Sequence, residues 1–316
     1  MAILGIDIGG TKTIVGAADR SGTLIAHKRI ETPGSLGPEK AIREITRAAR
    51  EIVERADARV EAVGIGCGGP MDRKAGVLHD VPNLPGWSGL CLTCIFGQEF
   101  GAPAYLDNDA TAAAIGEAMF GAGRGIEDFV YFTVSTGIGG GIIIGGRPYR
   151  GHGDNAGEFG HMKIIPEGPP CPCGDRGCLE ALASGTSIAR IARERMRAGT
   201  QTILREWTAE VVDVTAEMVS LAAAQGDEFC QSIWREATYH LGLGIANVVN
   251  AFNPRLVILG GGVTRAGDLL FEPVRAVVRE RAMGPLADEV EVVPAANGDL
   301  VGLMGAVALA IEGCGS

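Results

Sequence analysis

Apolar positions along the chain switch between two periods. Residues 3–8, 12–19 and 23–30 are short apolar runs, with GG at 9–10 and DRSG at 19–22 as tight turns between them. They predict a three-strand meander. The period then lengthens. In PEKAIREITRAAREIVERA, Ile42, Ile45, Ala49, Ile52, Val53 and Ala56 recur at helical spacing. VEAVGIG and PAYLD (103–107) predict strands, and NDATAAAIGEAMFG predicts a helix capped by Asn108 or Asp109. The first 120 residues therefore read β-β-β-α-β-β-α.

The pattern then restarts. FVYFTV (129–134) predicts a strand, STGIGGG a glycine turn, IIIG a returning strand and GGRPYRG another turn. IDIGGTKTIVGAADRSGTL and FTVSTGIGGGIIIGGRPYR share this order, which suggests an internal duplication by pattern rather than identity. Helices are predicted near 185–198, 215–224, 227–251, 268–283 and 302–312. RLVILGGG reads as a buried strand, with another near 290–294. Strands alternating with helices imply an α/β fold. The 316 residues exceed one compact core of ordinary size, so two domains are expected. No low-complexity linker separates them, which favours a shared, hinged cleft.

Composition narrows the function. The formal net charge is −10, which argues against nucleic acid or an anionic membrane as partner. The densest basic run, 190-RIARERMR-197, reads as one face of a helix. No apolar run reaches membrane-spanning length. The opening residues lack the basic start and cleavage site of a signal peptide, so a cytoplasmic protein is expected. Eight cysteines in a chain this long do not suggest a secreted framework. In a reducing compartment, clustered thiols more often bind metal.

Three glycine motifs could meet phosphate. In 7-DIGGTKT-13 the N–H groups of Gly9, Gly10 and Thr11 could face an anion, because no Cβ blocks the approach. Asp7, at the strand end, could hold magnesium or its water. The spacing is not that of a P-loop. The second motif, 135-STGIGGG-141, fails the dinucleotide fingerprint, and the third, 260-GGG-262, ends a buried strand before a helix. A plain turn explains the third equally well. 64-GIGCGG-69 matches G-x-G-x-x-G, but Pro70, Met71 and Asp72 follow instead of a helix, so no dinucleotide site is expected there.

The most distinctive stretch is 171-CPCGDRGCLE-180. Cys171, Cys173 and Cys178 can converge, and His161 is the nearest candidate for a fourth tetrahedral ligand. Cys91 and Cys94 also form C-x-x-C but lack a second pair; they, Cys67, Cys230 and Cys314 read as core residues. Zinc at the cluster would be structural. It would fix one imidazole nitrogen of His161 and leave the other pointing at a ligand, with Glu158 and Glu180 alongside. One imidazole and two carboxylates suit a polyhydroxyl ligand. In 107-DNDA-110, Asp109 stands at a strand-to-helix junction, where a carboxylate can act as general base on an alcohol or simply cap the helix.

DIGGTK, LDND, STGIGGG, AGEFGH and CPCGDRGCLE, in this order, resemble the ROK family of sugar kinases and repressors over Ile3 to about Gly305, and 82-PNLPGW-87 is similar to its glucokinases. The resemblance implies a duplicated, actin-like (ribonuclease H-like) fold with ATP and magnesium in a hinged cleft. It places one domain at residues 1–120 plus 301–316 and the other, with the zinc loop, at 121–300. It implies Asp109 as base for the sugar 6-hydroxyl, with Asn108, Glu158, His161 and Glu180 binding hydroxyls and Gly69 and Asn83 as further contacts. His161, Cys171, Cys173 and Cys178 would hold zinc. Asp7, Gly9, Gly10, Thr11, Lys12, Thr136 and Gly137 would face the phosphates, and Gly261 the adenosine side. A homodimeric, ATP-dependent glucokinase is the expectation. N-acylhexosamine, fructose or allose kinases, and a non-catalytic sugar-sensing regulator, are the alternatives. Family repressors carry a DNA-binding domain before the first strand, and here that strand begins at residue 3.

Overall fold

A computed structural model describes residues 1–32, 37–79, 81 and 84–315. Its strands are β1 (Ala2–Ile8), β2 (Lys12–Ala18), β3 (Leu24–Glu31), β4 (Val60–Cys67), β5 (Met71–Asp72), β6 (Val77–Leu78), β7 (Ala104–Asn108), β8 (Phe129–Val134), β9 (Ile138–Ile144), β10 (Arg147–Pro148), β11 (Leu256–Gly260) and β12 (Glu291–Pro294). Its α-helices are α1 (Pro38–Ala56), α2 (Leu92–Phe100), α3 (Asp109–Phe120), α4 (Leu179–Ala183), α5 (Gly185–Arg197), α6 (Leu204–Trp207), α7 (Ala216–Ala224), α8 (Glu228–Phe252), α9 (Asp268–Arg281), α10 (Gly284–Glu289) and α11 (Val301–Cys314). The chain divides into two compact units. One comprises residues 1–127, 141–157 and 295–316, and the other 128–140 and 158–294.

The duplication suggested by the glycine turns appears in the topology. The first large sheet has order β3-β2-β1-β4-β7 and the second β10-β9-β8-β11-β12. Numbered within each half, both read third, second, first, fourth, fifth. In each, the meander pairs antiparallel where its register is given (β1–β2, β2–β3, β9–β10), and the last three strands pair parallel.

Local chemistry sets the helix boundaries. Pro38 opens α1, and Asp57 ends it in the left-handed conformation. Asp227 caps α8 by accepting the Cys230 N–H, and Asn253 closes it, again left-handed. Ile45, Ala49 and Ile52 of α1 are buried and Ile42 and Val53 partly so, as the helical spacing predicted. The first unit's core gathers Leu4, Ile6, Val63, Ile65, Trp87 and Phe96. Burying a large apolar side chain of this kind stabilises by roughly 1.5–3 kcal/mol. In the second unit Phe132 stacks on Phe159 with ring centroids 4.7 Å apart, and the Trp234 indole donates to the Leu269 carbonyl at 2.9 Å.

Among the elements that escaped the sequence pattern, beside α4, α6 and α10, are the β5–β6 hairpin and α2. Both are short, and α2 buries only Leu92 and Phe96, too few positions to show a period. The reading of three cysteines is also corrected. Cys91 and Cys94 form a disulfide at the start of α2 instead of packing in a core. Cys314 is exposed, because it lies on the last turn of α11 near the chain end. Cys67 and Cys230 are buried as expected.

Candidate active site

In the first unit, three parallel strands end side by side. Register aligns Asp7 of β1 with Gly66 of β4, and Gly66 with Asp107 of β7. Carboxyl ends of parallel strands are the usual ligand side of such sheets. Asn108 caps α3, its Oδ1 accepting the N–H groups of Ala110 at 2.9 Å and Thr111 at 3.3 Å. Capping thus falls to Asn108, the residue before the carboxylate. Asp109 Oδ1 takes the Ala110 N–H at 2.8 Å, and among the described residues no hydrogen bond falls on Oδ2.

Asp7 and Asp109 flank Gly66. A Cβ on that glycine would stand 3.8 Å from the Asp109 Cα and 3.9 Å from the Asp7 Oδ1. Gly302, in the first turn of α11, has no such room. A Cβ there would meet the Asp7 Oδ2 at 2.3 Å, so only glycine admits the carboxylate. Burial pushes the Asp7 carboxyl up to about 7, the Asp109 charge adds to the rise, and Lys12 opposes it. Burial likewise raises Asp109, opposed by the Ala110 N–H. Asp107 is buried and bound by Arg150, whose Nε donates to its Oδ2 at 2.8 Å.

The 9–12 turn is closed by the Gly9 N–H donating to the Lys12 carbonyl at 2.9 Å. Thr32 braces it from the edge strand, its hydroxyl donating to the Gly9 carbonyl at 2.7 Å and its N–H to the Thr11 carbonyl at 2.9 Å. Gly10, Thr11 and Lys12 stay exposed. Gly69, with φ of +102°, packs under Val81. Asn83 lies outside the described residues.

The second unit gathers the thiols. Ligand atoms of His161, Cys171, Cys173 and Cys178 all lie within 4.8 Å of one another. Cys173 and Cys178 sulfurs are 3.7 Å apart, as are Cys171 Sγ and His161 Nδ1. A tetrahedron with metal–sulfur bonds of about 2.3 Å and metal–nitrogen bonds of about 2.0–2.1 Å has edges of roughly 3.6–3.8 Å, so the donor set fits zinc. The His161 Nδ1 faces the thiols, while its Nε2 lies 3.8 Å from the Glu158 carboxylate. One ring thus splits its two nitrogens between metal cluster and carboxylate. Lys163 Nζ donates to Cys178 Sγ at 3.1 Å and pairs with Asp175 at 3.0 Å, and the Cys178 bond leads the causes that hold the ammonium charged. The Asp175 N–H lowers the Cys173 thiol, whereas burial pushes Cys171 up to about 12.

The second glycine turn lies against this loop. Glu180 Oε2 accepts the Ile138 N–H at 2.9 Å. The first residue of α5 joins the same turn, the Gly185 N–H donating to the Ser135 carbonyl at 2.8 Å. Gly261, with φ of +94°, abuts Val134, and Thr136 is exposed at the turn. Of the residues singled out from sequence, Asp7, Asn108, Asp109, Gly69 and the 9–12 turn belong to the first unit. Glu158, His161, the three thiols, Glu180, Thr136, Gly137 and Gly261 belong to the second.

The ROK family model matches residues 3–313. The chain belongs to the ROK family. It is similar to the glucokinase of Thermotoga maritima, at 35% identity over 315 residues covering 100% of this chain and 99% of that one. It is 36% identical to the Streptomyces coelicolor glucokinase over 318 residues, 98% of this chain and 97% of that one. A crystal structure of a ROK family glucokinase from Streptomyces griseus, in complex with glucose and AMPPNP, superposes with a TM-score of 0.89 at 36% identity, covering 99% of this chain and 100% of the other. The fold is therefore the actin-like α/β type expected of a ROK protein.

Several supporting residues of this ROK chain escaped the sequence reading. Gly66 and Gly68 belong to GIGCGG, which was set aside as a failed dinucleotide motif. Gly66 separates the two carboxylates, and a Cβ on Gly68 would stand 3.4 Å from the Asp109 Oδ2. The motif itself was the signal, since glycines at a strand end need an explanation even without a helix after them. Gly302, Thr32, Arg150 and Lys163 are distant in sequence from what they support and carried no local signal.

Proposed function

We propose that this chain transfers the γ-phosphoryl group of ATP to the 6-hydroxyl of a hexose, with glucose as the preferred sugar. The observation that carries the reading is Asp109, a carboxylate of raised proton affinity at the head of α3 with the Asp7 carboxylate beside it across Gly66. Glucokinase relatives at full-length similarity support the reaction and the sugar.

Asp109 takes the proton of the 6-hydroxyl as the new P–O bond forms, and a positioned base of this kind contributes roughly 10²–10⁴-fold. Asn108, Glu158, His161 and Glu180 accept or donate to the remaining hydroxyls, with Gly69 and Asn83 completing the contacts. Gly9, Gly10, Thr11, Lys12, Thr136 and Gly137 present N–H groups, hydroxyls and one ammonium to the phosphates, and Gly261 leaves room for the adenosine side. Asp7 would hold magnesium or its water. The metal supplies charge neutralisation on the phosphates. His161, Cys171, Cys173 and Cys178 would hold a structural zinc, and the His161 Nε2, turned away from the thiols, would serve the sugar.

A homodimer is the assembly the family resemblance implies. Light scattering of the purified protein tests the assembly. Among the described residues, no helix is long and apolar enough to cross a membrane. The deciding measurement is a coupled ATP assay across glucose, mannose, fructose, allose, N-acetylglucosamine and N-acetylmannosamine. Glucose should give the highest kcat/KM, and absence of turnover with every sugar would refute the reading.

A further inference from the structure

Cys91 and Cys94 take no part in the site described above, and they are joined as a disulfide at the start of α2. Cys91 is the N-cap of that nine-residue helix, and its sulfur accepts the Cys94 N–H at 3.2 Å. Cys94 is exposed, and Cys91 is half-buried. The bridge spans three residues along the chain. Disulfide stabilisation grows with the length of the closed loop, so a ring this small contributes the least. The ring thus adds little to global stability, so what its state can change is the local geometry of the helix start, and exposed Cys94 is open to exchange.

The helix start is also clasped to the β5–β6 hairpin. The Leu92 N–H donates to the Gly76 carbonyl at 2.9 Å, and Leu78 and Leu90 are joined through N–H to carbonyl at 3.0 Å. A Cβ on Gly76 would stand 1.8 Å from the Thr93 hydroxyl, so hairpin and helix touch without slack. The hairpin follows Gly69 and Pro70 directly, the His79 N–H donates to the Pro70 carbonyl at 3.0 Å, and Val81 covers Gly69. A continuous set of backbone bonds within one unit thus runs from the disulfide to a proposed sugar contact.

We propose that Cys91 and Cys94 are a reversible thiol–disulfide exchange site for low-molecular-weight thiols, and that its state sets sugar affinity through the β5–β6 hairpin. The chemical part stands alone, whereas the effect on sugar rests on the hexose kinase reading. An external thiolate attacks the exposed Cys94 sulfur. The S–S bond breaks, and its electron pair leaves on Cys91, where the Cys94 N–H at the helix start receives the thiolate. A second thiolate attacks the external sulfur of the mixed disulfide and expels Cys94. In sum, one protein disulfide and two thiols give one protein dithiol and one small disulfide, with two electrons passing to the protein. The small disulfide is the oxidant of the reverse reaction.

The test uses the full chain with its metal, equilibrated in buffers of graded glutathione to glutathione-disulfide ratio. Acid quenching, iodoacetamide and mass spectrometry of the peptide holding both cysteines read the redox state. Glucose KM and ATP KM are measured on the same samples. The pair should pass from disulfide to dithiol across the series, and glucose KM should rise about fivefold or more with it while ATP KM stays level. Cys94→Ser should hold glucose KM at the reduced value in every buffer, and Cys91→Ser/Cys94→Ser serves as a second control. A pair that stays bridged, or stays reduced, throughout the series overturns the proposal. So does a Cys94→Ser protein whose KM still follows the buffer, since the response would then come from other thiols. A pair that titrates in a protein without sugar turnover upholds the exchange site and refutes the kinase reading instead.

Discussion

The Glu180 carboxylate accepts the backbone N–H of Ile138 at 2.9 Å, which ties the cysteine loop to the second glycine turn. One carboxylate proposed for the sugar therefore also holds the turn proposed for phosphate. Gly137 makes the contact possible, since a Cβ there would stand 2.4 Å from the Glu180 Oε2. Gly137→Ala must push the carboxylate away and shift both groups together. The expected outcome is a roughly 10²-fold loss in kcat/KM, shared between glucose and ATP, from displacement on the ångström scale. Initial rates with each substrate varied in turn check it, and an effect confined to ATP would deny the coupling.

Asp109→Asn keeps the shape and the Ala110 hydrogen bond but cannot take a proton. Its kcat should fall by roughly 10²–10⁴-fold while glucose still binds, as read by calorimetry. Wild-type kcat/KM should decline toward acid pH with a limb above the ordinary carboxylate range, because burial raises this carboxyl and only its ionised form is a base. A variant with near-normal turnover would remove Asp109 from the chemistry.

Much of this was legible in the sequence because it depends on local pattern. The meander, α1, α3 and the long α8 follow from periodicity and caps, and the cysteine loop from its spacing. The β5–β6 hairpin and α2 are too short to show a period. Gly302 beside Asp7 and Thr32 beside the 9–12 turn are long-range contacts, specified by the tertiary fold and not by neighbours in the chain. The C-x-x-C pair was misread because α2 is too short to show a period. Its role depends on sitting at a helix start, and that helix was not predicted.

The Asp7 carboxyl rises from 3.8 to about 7 in the ligand-free fold. Between these limits the native protein keeps a proton that the unfolded chain has released. This contribution to stability is complete below pH 3.8 and is lost as pH rises through about 7. Asp7→Asn abolishes the titration. Relative to wild type, the variant should gain stability on going from about pH 5 to about pH 8 in urea melts without ligand. Equal differences at both pH values would contradict the assignment. The same variant should need far more magnesium for turnover.

Lys163 brings a positive charge within 3.1 Å of the Cys178 sulfur. A lysine ammonium only donates, so it favours the thiolate form that a metal requires. Lys163→Met should weaken zinc binding by roughly 10–100-fold, as partners outside the ligand set commonly do. Competition with a chromophoric chelator measures this directly. Glucose KM should rise in parallel, whereas ATP KM should not.

Glu117 is fully buried, and its carboxylate accepts four N–H bonds: from Ala122 at 2.7 Å, Ala296 at 3.1 Å, and Asn297 backbone and side chain at 3.0 and 2.8 Å. It thereby joins the end of α3, which begins with Asp109, to the turn ahead of α11, whose Gly302 packs on Asp7. Glu117→Gln preserves volume but replaces one acceptor oxygen with a donor facing N–H groups. The expected cost is about 1–3 kcal/mol in denaturant unfolding, because a buried donor is left without an acceptor. α3 carries Asp109 and α11 carries the Gly302 that packs on Asp7, so kcat should drop alongside stability even where the variant is fully folded. Circular dichroism and kcat measured at one temperature separate the two effects. A destabilised variant with unchanged kcat would show that Glu117 holds the fold without positioning Asp109.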